Sequence, residues 1–169
     1  MATFIEKLFE FNLWANTEII QLCATLDETQ LAVEASGVYG RIKPTITHIV
    51  RSEGTYLGDL GGEYLWDHKK DWGDLSFAQL LEMAQQSGSA LLERAASMDP
   101  DTLCEFVADN KRYEFPAWTI ANQAINHGIE HRTQLRLLLT QLGVPHPGQS
   151  VWGFSESIGA LQVHDVSGE

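Results

Sequence analysis

Apolar side chains recur at intervals of three and four residues along four long stretches of the chain, which is the periodicity of an amphipathic helix. These stretches predict helices over residues 4–26, 44–60, 77–98 and 117–142. Thr3 followed by Glu6 matches the capping box that starts a helix, and Ser76 is a suitable N-cap for the third one. The chain is therefore predicted to be mainly helical.

The segments between these helices are irregular or short. Residues 27–43 and 63–75 are predicted to be loops, the second of which contains His68. Alternating apolar and polar residues in 102–107 and 111–115 predict a short β-hairpin, and a short helix is expected over 154–161. Four long amphipathic helices favour a helical bundle, although the long connections leave its up-and-down order open. No linker, repeat or low-complexity segment divides the chain, so residues 1–169 are expected to form one domain.

Composition and charge exclude several classes of function. The 169 residues include 23 acidic and 11 basic ones, for a net charge of −12. An acidic chain without a basic cluster would repel nucleic acid and anionic membrane surfaces. No apolar run is long enough to span a membrane, and the N-terminus reads as a helix start rather than a signal peptide. Cys23 and Cys104 are too few for a disulfide framework, so a cytoplasmic protein with reduced thiols is expected.

Two histidines, His127 and His131, lie one turn apart in the middle of the apolar stripe of the last long helix. Ile120 and Leu138 share this stripe on a helical wheel. An imidazole is costly to bury unless its nitrogens have partners. A histidine pair at this spacing can bind one metal ion. Alternatively, both are core histidines that are hydrogen-bonded to their neighbours, and the pair alone leaves both interpretations open.

A third histidine, His48, lies beside the apolar face of the second helix and is aligned with Ser52 and Thr55. By itself, this position is typical of a solvated surface histidine. Together with His127 and His131 it would supply three metal ligands, and a catalytic zinc ion with three protein ligands keeps a fourth position open. Such a site would lie where the core meets a groove and would be open on one side.

Polar residues near these helices are further candidates. Gln134, one turn beyond His131, could hydrogen-bond a ligand or a bound water, or could line the helix interface. Asn12 and Asn16 occupy the interior of the first helix. Because asparagine is a poor helix former, both are expected to bond partners elsewhere by capping or by bridging helices.

The segment from His127 to His131 also matches H-x-x-E-H, the inverted zinc-peptidase pattern in which the glutamate is a general base. This five-residue match is weak, because those peptidases take another ligand from a distant downstream acid in a much larger fold. Glu130 flanks the apolar stripe and could reach a bound water. The alternative is an exposed helical glutamate beside Arg132.

Four segments of the chain form an ordered set of motifs. They are Phe11-Asn12-x-Trp14-Ala15-Asn16, then Ile46-Thr47-His48-Ile49, then Asn126-His127-x-x-x-His131-Arg132-x-Gln134, and finally Leu142-Gly143-x-x-Pro145 followed by Trp152 and a short helix. Each segment is weak evidence alone. Together, and in this order, they resemble the DinB-like family of four-helix-bundle proteins, and the resemblance covers essentially the whole chain.

The resemblance implies an up-down-down-up four-helix bundle that is often a homodimer. It also implies a divalent ion, zinc or nickel, held by His48, His127 and His131. Characterised members of the wider superfamily are metal-dependent enzymes that act with low-molecular-weight thiols, among them bacillithiol and mycothiol S-transferases and a mycothiol-dependent maleylpyruvate isomerase. The family name refers to DNA-damage-inducible genes and implies no DNA binding.

Three functions are consistent with these observations. The first is a thiol S-transferase, in which the metal holds a low-molecular-weight thiol as thiolate for attack on an electrophile. The second is a hydrolase that uses metal-bound water positioned by Glu130 or Gln134. The third is a metal-binding stress-response protein without catalysis. The acidity of the chain counts against the first, because acidic surroundings repel anionic thiols.

Overall fold

The computed structural model describes residues 2–67, 72–146 and 148–164 and confirms a mainly helical fold with one β-hairpin. In chain order the elements are α1 (Phe4–Cys23), α2 (Glu28–Leu31), α3 (Ile42–Asp59), α4 (Phe77–Ser97), β1 (Leu103–Ala108), β2 (Lys111–Pro116), α5 (Ala117–Gln141) and α6 (Val151–Ser157). The two strands pair antiparallel. His68 lies outside the described residues, so its predicted place in a loop is not tested.

The four long helices are confirmed, with ends that differ by a few residues from the predicted ones. α1 ends at Cys23, and the following turn is closed by the Thr25 hydroxyl, which donates to the Leu22 carbonyl oxygen at 2.8 Å. α3 begins at Ile42, two residues before Pro44. Proline is tolerated there because the first N–H groups of a helix have no intrahelical acceptor.

Both predicted helix caps are present. Thr3 Oγ1 accepts a hydrogen bond from the Glu6 N–H at 3.3 Å, and the Glu6 carboxylate accepts one from the Thr3 N–H. Ser76 Oγ accepts a hydrogen bond from the Gln79 N–H at 3.2 Å. These caps give partners to N–H groups that the helices themselves cannot satisfy.

The two short helices differ from the sequence prediction. Residues 27–43 were predicted to be entirely loop, which is wrong for α2. Asp27 and Gln30 cap each other there, at 2.8 and 3.0 Å, and so close a helix too short to show periodicity. α6 starts three residues before the predicted 154–161, because Ser150 Oγ accepts a hydrogen bond from a backbone N–H of its first turn at 3.1 Å.

The predicted hairpin is confirmed, and its turn lies at Asp109 and Asn110. Their φ angles are +50° and +58°. A two-residue turn with both φ angles positive matches the right-handed twist of the flanking strands, and Asn and Asp tolerate this conformation better than other non-glycine residues.

The long helices pack in a closed arrangement in which α1 and α3 each lie against both α4 and α5. The largest fully buried side chains are Phe9, Ile19, Ile20, Ile42, Ile46, Leu60, Leu80, Leu91, Leu135, Leu138, Leu139 and one carboxylate, Glu53. None of the described helices has both the length and the apolar content required to cross a membrane.

A buried polar network joins the four long helices around Glu53 of α3. Asn12 Nδ2 and Asn16 Nδ2 of α1 each donate to Glu53 Oε1 at 2.7 Å. Ser87 Oγ of α4 donates to Glu53 Oε2 at 2.8 Å. Arg132 Nη1 of α5 donates to the Oδ1 atoms of Asn12 and Asn16 at 2.7 and 2.6 Å. The prediction that the two asparagines bond partners on other helices is thereby confirmed.

Gly128 lies against this network, and we expect Gly128→Ala to lower the free energy of unfolding by about 1–3 kcal/mol. A Cβ at this position would lie 2.5 Å from Asn12 Oδ1 and 2.6 Å from Arg132 Nη1. The displacement of these bonded groups outweighs the roughly 1 kcal/mol that alanine gains over glycine in a helix. Gly40→Ala is the control, since no atom of the described residues would meet its Cβ within 4 Å. Urea unfolding measures both, and a neutral Gly128→Ala would contradict this packing.

Candidate metal centre

The three histidines singled out from the sequence meet between α3 and α5. His48 Nε2 and His127 Nε2 are 2.9 Å apart, and one ring nitrogen of each of His48, His127 and His131 lies within 4.8 Å of the others. His127 and His131 are 8% and 6% exposed, so the group sits at the edge of the core. Three imidazoles in this arrangement could hold one metal ion.

The side chain of Gln134 orients His131. Its Oε1 accepts hydrogen bonds from His131 Nδ1 and from the Tyr39 backbone N–H, both at 3.0 Å. Because a carbonyl oxygen only accepts, the proton of His131 lies on Nδ1, and Nε2 keeps the lone pair that a metal needs. Gln134 therefore contacts one of the candidate ligands, which goes beyond the alternative that it only lines a helix interface.

Two tyrosines that the sequence did not single out pack on the histidines. The Tyr39 ring stacks on His48, with centroids 4.2 Å apart and planes 12° apart. Tyr56 meets His127 edge-on, with centroids 5.6 Å apart. Tyr39 lies in a segment without periodicity, so no sequence signal identified it. Tyr56 follows the polar stripe of Ser52 and Thr55 along α3, which was a usable signal.

Burial keeps His127 and His48 neutral. It lowers the pKa of His127 to about 3, with smaller contributions from the nearby His131, His48 and Arg132 charges. Burial likewise lowers the pKa of His48, and the charges of His131 and Arg51 add to this effect. His127 and His48 are therefore unprotonated near neutral pH, as metal ligands must be. The donor set thus fits a divalent metal ion.

Metal-free protein is expected to lose stability as the pH falls from about 6.5 toward 3. The pKa of His127 is lower in the folded chain than in the unfolded one, so the unfolded state takes up a proton first. The contribution of His127 is fully present above the unfolded pKa and is lost as the pH falls through the folded one. Urea unfolding in chelator at about pH 7 and about pH 4.5 should show a steeper loss in the parent than in His127→Gln. Equal losses would contradict the lowered pKa.

Two cavities border His48. The larger, of about 390 Å³, is lined by residues that include Tyr39, Lys43, Thr47, Arg51 and Trp72. The other, of about 370 Å³, is lined by His48, Arg51, Ser52, Thr55, Tyr56 and Trp66. Both volumes lie in the range of small-molecule sites. His48 therefore borders open space, as expected, and this space is divided between two cavities.

Glu130 is exposed on α5 and lines neither cavity. Burial raises the pKa of Tyr56, and a hydrogen bond with Gln123 opposes this rise. The inverted zinc-peptidase pattern would require a downstream acid as the third metal ligand. Among the described residues, the third potential ligand beside His127 and His131 is His48. A role for Glu130 as general base stays a prediction.

Comparison with protein-family models matches residues 1–158 to the DinB family. The match spans every segment on which the resemblance rests, from Phe11 to Trp152, and confirms it. A search of curated proteins finds no match.

Proposed function

The chain belongs to the DinB family, and from this premise we propose that it binds one divalent metal ion, zinc or nickel, through His48, His127 and His131. The observation that carries the proposal is the convergence of three ring nitrogens within 4.8 Å of one another. The lowered pKa values of His48 and His127 and the hydrogen bond from His131 to Gln134 support it, because they keep the donor nitrogens unprotonated.

We expect Gln134→Leu to weaken metal binding by about 10–100-fold, since the substitution removes the acceptor that fixes the His131 tautomer. Competition with a chelator of known affinity measures the dissociation constant. Gln141→Leu, an exposed change at the end of the same helix, serves as the control and should leave the constant unchanged. Equal constants for the two variants would show that Gln134 does not orient a ligand.

We further propose that the protein transfers a low-molecular-weight thiol to an electrophile. A bound divalent ion would supply a Lewis-acid position that lowers the pKa of such a thiol. The protein's own thiols do not suit the role of nucleophile, because burial raises the pKa of Cys23 to about 12 and also raises that of Cys104. The nucleophile would then be a small molecule, for which the cavities beside His48 have room.

In the proposed reaction the thiol sulfur forms a bond to the electrophilic carbon, and the displaced group leaves with the bonding electron pair. The thiol proton passes to solvent. Gln134 keeps His131 in the tautomer that binds, while Tyr39 and Tyr56 pack against the rings of His48 and His127. These contacts hold the histidines in one orientation relative to the reactants.

Conjugation of cysteine to 1-chloro-2,4-dinitrobenzene tests this activity. Metal-loaded parent protein should accelerate thioether formation, His127→Ala should not, and His164→Ala, an exposed change near the C-terminus, should behave as the parent. If metal-loaded protein accelerates no reaction between small thiols and model electrophiles, the transferase proposal fails. A metal-binding protein without catalysis would then be the better description.

Metal-dependent hydrolysis with Glu130 as general base is the second candidate function. It rests on the H-x-x-E-H match, in which Glu130 directly precedes the candidate ligand His131 on α5. Loss of model-ester turnover in Glu130→Gln, with metal retained, would support it. Glu82→Gln, an exposed change on α4, is the matched control.

We also propose that the four long helices form one domain, an up-down-down-up bundle. Pairs of contacts along each helix pair support these directions. α1 and α5 are parallel, because Asn12 lies beside Gly128 and Asn16 beside Arg132. α3 and α5 are antiparallel, because His48 contacts His131 and Tyr56 contacts His127. α3 and α4 are parallel, because Lys43 contacts Phe77 and Glu53 contacts Ser87.

We propose in addition that the protein is a homodimer, as the family resemblance implies. Sedimentation in solution tests this proposal, and a monomer would contradict it.

A further inference from the structure

A small cavity lies between α1, α5 and the segment that joins α5 to α6. Its volume is about 70 Å³. It is lined by apolar and polar side chains from these three parts of the chain: Phe11, Ile129, Arg132, Thr133, Arg136 and Gln149. It shares no lining residue with the two cavities beside His48. Because about 10–15 Å³ suffices for one water, this cavity has room for a group of several non-hydrogen atoms.

Two arginines bring unsatisfied hydrogen-bond donors to this cavity. Arg132 and Arg136 lie four residues apart on α5, so their side chains extend over the same face of the helix. Arg132 is 3% exposed, and its Nη1 donates to the two asparagines of the buried network, whereas its Nη2 is buried without a hydrogen-bond partner. Arg136 Nε is also buried without a partner. Since an unbonded buried donor costs free energy, the two groups indicate a ligand that accepts from both.

The charges of the two arginines are offset to different degrees. The Arg132 guanidinium is linked to the Glu53 carboxylate through Asn12 and Asn16. Among the ion pairs that described residues form with one another, none includes Arg136. The cavity therefore adjoins a guanidinium that no described carboxylate neutralises, and its lining favours an anion.

Gln149 adds a hydrogen-bond acceptor to the same cavity. Its Nε2 donates to the Ala15 carbonyl oxygen at 2.8 Å, and because that oxygen can only accept, the orientation of the amide is fixed. Its Oε1 is buried without a hydrogen-bond partner. Thr133 does not supply the missing proton, because its hydroxyl donates to the Ile129 carbonyl oxygen at 2.8 Å. A ligand that satisfies this lining must therefore accept from two arginines and donate to one glutamine.

We propose that this cavity binds a small inorganic oxyanion that retains a hydroxyl group, such as hydrogen phosphate or bicarbonate. Two oxygens of the anion accept from Arg132 Nη2 and Arg136 Nε, and its hydroxyl donates to Gln149 Oε1. Sulfate and chloride carry no proton near neutral pH and leave the glutamine oxygen facing an anion, which costs free energy. The assignment does not depend on metal binding or on thiol transfer at the histidines.

Calorimetric titration of the purified protein with phosphate, bicarbonate, sulfate and chloride, near neutral pH and at constant ionic strength, tests the proposal. Phosphate or bicarbonate should bind at least about 10-fold more tightly than sulfate or chloride, and the tighter of the two identifies the ligand. Equal affinities for the anions with and without a proton would overturn the assignment. So would the absence of binding by all four, which would show that the cavity holds water only.

Two variants test the residues of the site. Arg136→Gln should weaken binding of the preferred anion by at least about 10-fold, whereas Arg112→Gln, an exposed change on the hairpin, should leave it unchanged. Gln149→Met removes the acceptor and should reduce the preference over sulfate to about twofold or less. Full affinity in Arg136→Gln would place the anion elsewhere, for example on the metal ion, and overturn the assignment. The comparison of anions uses the parent protein, so it decides the matter even if a variant folds poorly.

Discussion

Replacing Arg132 by methionine is expected to lower the free energy of unfolding by about 3–5 kcal/mol. Arg132 is 3% exposed and donates to Asn12 and Asn16, which in turn donate to the Glu53 carboxylate. Burial raises the pKa of Glu53, and the charge of Arg132 opposes that rise. Without the guanidinium, the two asparagine oxygens lose their donor and Glu53 is left as an uncompensated buried charge.

A double-mutant cycle separates this explanation from a simple loss of packing. Glu53→Gln should offset part of the cost of Arg132→Met, because it removes the charge that the first substitution leaves unbalanced. Arg112→Met removes an exposed arginine whose partner Glu105 is also exposed, and should cost less than about 0.5 kcal/mol. Urea unfolding followed by circular dichroism gives all the values. Additive costs for Arg132→Met and Glu53→Gln would contradict an energetically coupled network.

His127→Ala is expected to remove the stabilisation that zinc or nickel gives to the parent protein. An ion present at 100 times its dissociation constant raises the free energy of unfolding by about 2.7 kcal/mol. Removing a residue that only orients a ligand weakens metal binding by up to about 100-fold. Removing one of the three ligands should weaken metal binding further, so the stabilisation by metal should disappear. Thermal unfolding with and without metal measures it. His164→Ala is the control, and a metal-induced shift in His127→Ala equal to that of the parent would exclude His127 as a ligand.

The long helices and the histidine pair were predictable because their signals are local. Apolar periodicity extends over at least four turns of α1, α3, α4 and α5, and the spacing of His127 and His131 is fixed within one helix. The four residues of α2 are too few for any period, although Asp27 and Gln30 have the spacing of a capping box.

The contacts between helices depend on how the helices are rotated against one another, and no local sequence pattern contains this information. Glu53 lies four residues from both Ile49 and Leu57 on the apolar face of α3, and this spacing was a usable sign of its burial that the sequence-based predictions did not include. That Asn12, Asn16 and Ser87 supply its hydrogen bonds follows only from the packing of α1 and α4 against α3.

The charges around the site could also not be predicted from the net charge of the chain. A net charge of −12 suggested that an anionic thiol would be repelled. The described lining of the larger cavity instead includes two basic residues, Lys43 and Arg51, and one acidic residue, Asp74. Interactions between exposed charges are largely screened beyond about 10 Å at ordinary ionic strength, so nearby charges matter more than the net charge of the chain.

Metal content is the most direct test of the three-histidine site. Elemental analysis of the purified protein should find one divalent ion per chain, zinc or nickel. His48→Ala and His127→Ala, purified in the same way, should lose that ion while remaining folded by circular dichroism. One ion per chain that survives either substitution would contradict the site.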